Sequence, residues 1–209
     1  MGIIELAQIQ LLNETTANTP LLLENMRQVK KVIEDFSGLP TNFFVDQDDQ
    51  SKLYVIGGWE TVEKHSKGFS GSEGQNKILA LIKDQMTITW QFYVDIDVQD
   101  VPLKPSDFVG IMLYKIKGPS QDPEERETKE TMFEKMSHYK LRDSTRHAGG
   151  WVVGGMTEHG QLWVRIAAFN NEAAARAFPS CGEKFWKDSE GSYPPYVSEQ
   201  LKVVKLLQL

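Results

Sequence analysis

His65 follows Trp59 by six residues, where the apolar segment LYVIGGW (Leu53 to Trp59) gives way to ETVEKHSKGF. An imidazole ordinarily titrates close to neutral pH, so it can both take and release a proton. An indole offers a flat apolar wall on which a planar ligand can stack. Together the two residues are candidates for acid–base chemistry on a flat, hydrophobic molecule. Each also has a plainer role: His65 as a surface residue beside Glu63 and Lys64, and Trp59 as a cap on a core.

Other polar side chains fall within apolar segments. Gln8 and Gln10 share one face of IIELAQIQLL, Gln91 and Tyr93 share one face of ITWQFYVDI, and Asn42 opens a short segment ending at Asp46. Gln8, Gln91, Tyr93 and Asn42 are expected to hydrogen-bond a ligand carbonyl or hydroxyl if their faces meet the helices, and to be rim residues otherwise. His138, His147 and His159 are spaced by nine and twelve residues, which matches no familiar ligand pattern, so no metal site is expected. Cys181 carries no signature of a nucleophile. The glycines of GFSGSEG fit no phosphate-binding loop and read as a flexible flap over the site.

The elements that must position these residues occur twice. LYVIGGWETVEKHSKGF and WVRIAAFNNEAAARAF (Trp163 to Phe178) are each an apolar strand that runs into an aromatic residue and then a helix, with Trp59 and Phe169 110 residues apart. A strand opens each half, at Ile3 to Leu12 and at Phe108 to Lys117, and another closes it, at Ile88 to Ile96 and Leu201 to Leu209. Leu22, Met26, Val29, Ile33 and Phe36 recur at helical spacing from about Pro20, and Ser37-Gly38-Leu39-Pro40 stops that helix. A second helix is expected at 123–140, where the charges of 122–134 read as its solvated face. The order in each half is β-α-β-β-α-β, so the expected fold class is α+β: two tandem ferredoxin-like domains at 1–97 and 107–209, joined by a linker at 98–106. Their strands are apolar on both faces, with Ile88, Trp90, Phe92 and Val94 against Tyr93. The two antiparallel sheets are therefore expected to cover one another in an intramolecular α/β barrel.

The stretch Gly57 to Phe69, GGWETVEKHSKGF, resembles the antibiotic-biosynthesis-monooxygenase-like branch of the dimeric α/β-barrel superfamily, whose members often place a Trp at the end of the third strand and a His on the following helix. The resemblance implies an eight-stranded barrel formed by one chain as a fused pseudo-dimer. It also implies a small-molecule pocket between the sheet and helices of a domain rather than in the barrel centre. The second half departs from the pattern, with Phe169 at the Trp59 position and Ala175 at the His65 position. One working pocket is therefore expected, in the first half. The activity implied is a cofactor-independent monooxygenase, cyclase or lyase acting on a hydrophobic aromatic or polyketide-like molecule, with His65 as general base or acid. The alternatives are haem binding or degradation, with His65 as axial ligand, and a non-catalytic ligand-binding barrel.

Bulk properties narrow the partners. Of 209 residues 40% are hydrophobic and 25% charged, the composition of an ordinary globular chain. A net charge of −6 and a pI near 5.3 oppose nucleic-acid binding, which needs a basic footprint. No apolar run is long enough to span a membrane. The start, MGIIELAQIQ, does not read as a secretion signal, and a lone cysteine excludes an internal disulfide. The expectation is a cytoplasmic protein with a hydrophobic small-molecule ligand, present as a pseudo-dimeric monomer or as a homodimer.

Overall fold

A computed structural model describes residues 2–101, 108–116, 131, 135, 144–155, 162–178 and 196–209. The expected helix at 123–140, its charged face, His138, His159 and Cys181 lie almost wholly outside them. In the first half the elements are β1 (Ile3–Leu11), α1 (Pro20–Ser37), β2 (Thr41–Asp46), β3 (Lys52–Trp59), a π-helical turn (Lys64–Phe69), α2 (Glu73–Ile82) and β4 (Met86–Val94). The second half contributes β5 (Phe108–Ile116), β6 (Ser144–Gly155), β7 (Leu162–Phe169), α3 (Glu172–Arg176) and β8 (Tyr196–Leu206).

The eight strands form one closed antiparallel barrel in the order β1-β3-β2-β8-β5-β7-β6-β4. Each half pairs its strands in the same sequence, β4-β1-β3-β2 and β8-β5-β7-β6. The halves do more than stack face to face. They are hydrogen-bonded into one sheet through β2–β8, where Phe44 faces Leu206, and β4–β6, where Tyr93 faces Gly154. Closure leaves no open edge at these junctions.

Alternation along each strand sorts side chains into two layers. Every strand sends residues into the barrel interior, among them Ile4, Phe44, Tyr54, Phe92, Val109, Ala148, Val164 and Val204. The opposite face of the first half, with Ala7, Ile9, Phe43, Val55 and Trp59, packs against Leu22, Met26 and Val29 of α1 and Ile78 and Ile82 of α2. Two expectations change here. Val98 and Val101, read as linker, are buried in the interior cluster. Ile88 does not share a face with Trp90 and Phe92, because a bulge places Gln8 opposite Trp90 but Ile9 opposite Ile88, leaving Thr89 as the extra residue.

Helix α1 starts with Pro20 in its first turn, where the missing N–H costs nothing. It ends at Gly38, whose φ of 73° lets its N–H bond the Glu34 carbonyl. That termination delivers the chain through Leu39 and Pro40 into β2 beside β3, and so brings Thr41 next to Gly57.

Candidate acid–base site

The site lies in the helix-facing layer of the first half. Glu5, Gly57 and Tyr93 are direct cross-strand neighbours on β1, β3 and β4, and Trp59 ends β3 two residues beyond Gly57 on the same face. His65 sits one turn later, on the π-helical segment, whose widened spacing is marked by the Ser70 N–H bonding the His65 carbonyl at 2.9 Å. Such insertions are frequent at functional sites. Here it puts His65 and Phe69 on the same side, with ring centroids 5.9 Å apart, and both rings against Trp59, at 4.3 Å and 5.4 Å.

A chain of polar contacts runs through this apolar setting. Trp59 Nε1 donates to Glu5 Oε2 at 2.8 Å. His65 Nε2 stands 3.6 Å from the same oxygen. His65 Nδ1 is in short contact with the Tyr93 hydroxyl, and Gln91 Nε2 lies 3.4 Å from it. All of these except Gln91 are buried: Glu5 is 8% exposed, His65 7%, Tyr93 6% and Trp59 0%.

Burial sets the protonation. It pushes Glu5 up to about 7, with the Trp59 hydrogen bond acting in the opposite direction. It pushes His65 down to about 4. Tyr93 rises to about 12 through burial and then the Glu5 charge. At neutral pH the imidazole is therefore uncharged and Glu5 is close to its midpoint. The 3.6 Å approach of Glu5 and His65 brings together two groups that burial drives towards their neutral forms.

The candidate residues divide by sheet face. Gln91 and Tyr93 face the helices and join His65 and Trp59. Gln8 does not: it lies opposite Trp90 on the interior-facing side and donates to the Tyr54 hydroxyl at 2.6 Å. Tyr54 in turn approaches Asp46 at 3.4 Å. Asn42 pairs with Ile56, an interior residue, so it too stands on the far face. The GFSGSEG segment is anchored rather than loose. Phe69 is buried, the Ser72 side chain caps α2 by accepting from the Gln75 N–H, and the Gln75 side chain accepts from the Gly71 N–H at 2.6 Å. Phe69 thereby closes the layer over Trp59 and His65. A cavity of about 310 Å³ lies elsewhere, beside Gly2, Gly38, Leu39, Glu60 and Asp97.

Glu5 is the member that the motif did not reveal. Its signal was present: within IIELAQIQL it shares alternation with Ile3, Ala7, Ile9 and Leu11, a charge on an otherwise apolar face.

The second half serves as an internal comparison. In register with Glu5, Gly57, Trp59 and Tyr93 stand Gly110, Ala167, Phe169 and Val203, and Ala175 follows Phe169 by six residues as His65 follows Trp59. Phe178 fills the space above Gly110, where a Cβ would come within 2.6 Å of its ring. Among the described residues, that layer buries Arg165, in register with Val55, with its guanidinium 5.3 Å from the Phe178 centroid.

Among the described residues no three His, Cys, Asp or Glu side chains are grouped to hold a metal, and no helix is long and apolar enough to cross a membrane. A haem iron would need one His65 nitrogen directed into open space. Nδ1 meets Tyr93 and Nε2 faces Glu5, so this donor set does not fit an axial ligand.

No family model and no curated protein sequence matches the chain. Solved structures do. A candidate monooxygenase from Fusobacterium nucleatum superposes with a TM-score of 0.68 at 8% identity, covering 99% of this chain and 93% of that one. An anthrone oxidase-like protein gives 0.64 at 10%, covering 99% and 92%. Chlorite dismutase from Candidatus Nitrospira defluvii, in complex with imidazole, gives 0.60 at 9%, covering 99% and 92%. At these identities the likeness is one of fold: the chain shares its α+β closed barrel with monooxygenase-like and chlorite dismutase-like proteins.

Proposed function

We propose that the chain is a cofactor-independent enzyme of the monooxygenase-like kind, acting on a hydrophobic, hydroxylated aromatic molecule through the Glu5–His65–Tyr93 relay of its first half. One observation carries this reading: five positions that are polar or open in the first half (Glu5, Gly57, Trp59, His65, Tyr93) are held by Gly110, Ala167, Phe169, Ala175 and Val203 in the second. The barrel is built without those polar groups on one side. Burying a carboxyl, an imidazole and a phenol on the other is costly, and fold stability does not require it.

In this account residues 1–97 hold the site, and 107–209 form a second ferredoxin-like unit that completes the barrel as a pseudo-dimer partner. The phenol or enol of the ligand stacks on Trp59 and gives its proton to the His65–Glu5 pair. The electron-rich anion then meets O2 directly. Phe69 is the side chain that must yield for the ligand to reach His65.

Oxygen uptake with a panel of hydroxylated polycyclic aromatics tests the proposal. The wild-type protein should consume O2 with at least one of them, and His65→Ala should lower turnover by roughly two to four decades, the scale of a general acid–base group. No uptake across the panel, or an unchanged rate in the variant, would overturn it.

A further inference from the structure

Gly57 lies directly between Glu5 on β1 and Thr41 on β2. The three atoms nearest the point where its Cβ would stand are all polar: Thr41 Oγ1 at 3.2 Å, Trp59 Nε1 at 3.6 Å and Glu5 Oε2 at 3.7 Å. Thr41 is fully buried and its hydroxyl has no hydrogen-bond partner. A buried hydroxyl left unsatisfied is costly, so an orphan beside a glycine needs a reason. The backbone of Thr41 is fully engaged, its N–H with Glu34 Oε1 at 2.8 Å and its carbonyl with Lys30 Nζ, so only the side chain is left over. In the second half the position of Gly57 is Ala167, which fills the same notch with a methyl group beside Gly110.

We propose that the notch over Gly57 is a hydroxyl-binding site that holds one water oxygen between Thr41 Oγ1 and Glu5 Oε2 in the resting protein. The oxygen accepts from the Thr41 hydroxyl and donates to the Glu5 carboxylate. When a phenol hydroxyl takes the place of that water, Glu5 takes its proton: the phenol O–H bond breaks, the electron pair stays on the phenolate oxygen and the Thr41 hydroxyl donates to it; the reverse step returns the proton. Trp59 Nε1, already bonded to Glu5, fixes the carboxylate's orientation. His65 from the π-helical turn and Tyr93 from β4 face the same carboxylate, while Lys30 and Glu34 of α1 bracket Thr41 through its backbone. The role of this oxygen in turnover rests on the acid–base function proposed above; its presence does not.

The experiment is a high-resolution crystal structure of the wild-type protein, combined with an infrared titration of the Glu5 carboxyl band in wild type, Thr41→Val and Gly57→Ala, with Glu5→Gln identifying the band. Density for one oxygen within hydrogen-bond distance of Thr41 Oγ1 is expected. Both variants should raise the Glu5 midpoint by about one pH unit, because the carboxylate loses a donor. Thr41→Val serves if Gly57→Ala fails to fold. An empty notch in the wild type, or the same Glu5 midpoint in every folded variant, overturns the proposal. A filled notch in a protein inert to every aromatic tested would keep this site and remove the enzyme reading. An empty notch in an active protein would do the reverse.

Discussion

Glu5 and His65 pull the pH dependence of stability in opposite directions. The folded-state value of Glu5 stands above its unfolded value, about 7 against 4.5, so its contribution is fully present below pH 4.5 and is lost as pH rises through 7. That span corresponds to about 3 kcal/mol. His65 is lowered from 6.5 to about 4, so its contribution is present above 6.5 and is lost as pH falls through 4. Glu5→Gln should therefore raise the denaturation midpoint at pH 8 by several degrees relative to wild type and change little at pH 5; equal effects at both pH values would show an unperturbed carboxyl. Trp59 and His65 were legible in the sequence because both are conspicuous types at a strand–helix junction. Tyr93 and Gln91 were legible only as a face, since alternation says which residues go together but not which side meets the helices. The same ambiguity misplaced Gln8 and Asn42, and reading charge against alternation would have found Glu5.

At the scale of elements, the two halves use glycine for different purposes. Gly110 makes room for Phe178, with a would-be Cβ 2.6 Å from one ring and 3.2 Å from the Phe169 ring. Gly110→Ala should destabilise the protein by about 1–3 kcal/mol through overpacking. Ser72→Ala should cost about 1 kcal/mol by removing the cap of α2. Urea denaturation of both variants checks these values, and a neutral Gly110→Ala would mean that Phe178 does not occupy the layer as described. Strands β1 to β4 were readable to within two residues because apolar runs and breakers mark their ends. β6 begins at Ser144 and β8 at Tyr196, well before the apolar text of each. The leading segments STRHAGG and YVSEQ are polar or glycine-rich, and pairing with β7 and β5 holds them extended where intrinsic preference does not. The bulge at Thr89 left no trace in the pattern, and there the period-two reading of β4 failed.

For the whole molecule, the apolar pattern of the strands made the closed sheet legible: strands apolar on both faces need a covering on each, and closure into one barrel supplies the inner one. The shared interior implies that neither half is self-sufficient. Residues 1–101 alone would expose Ile4, Leu6, Phe44, Ile56 and Phe92 together with the β2 and β4 edges. Light scattering should find that fragment dimeric or aggregated; a folded monomer would contradict a single interior built by both halves.

The central claim is that the first half buries a proton-sharing pair poised near neutrality. Nitrogen-detected NMR of the His65 ring between pH 3.5 and 8.5 tests it most directly. The account predicts that His65 stays neutral down to about pH 4 while its shifts report a second midpoint near 7 that vanishes in Glu5→Gln. A single titration near 6.5, unaffected by that substitution, would mean a solvated histidine and would contradict the account.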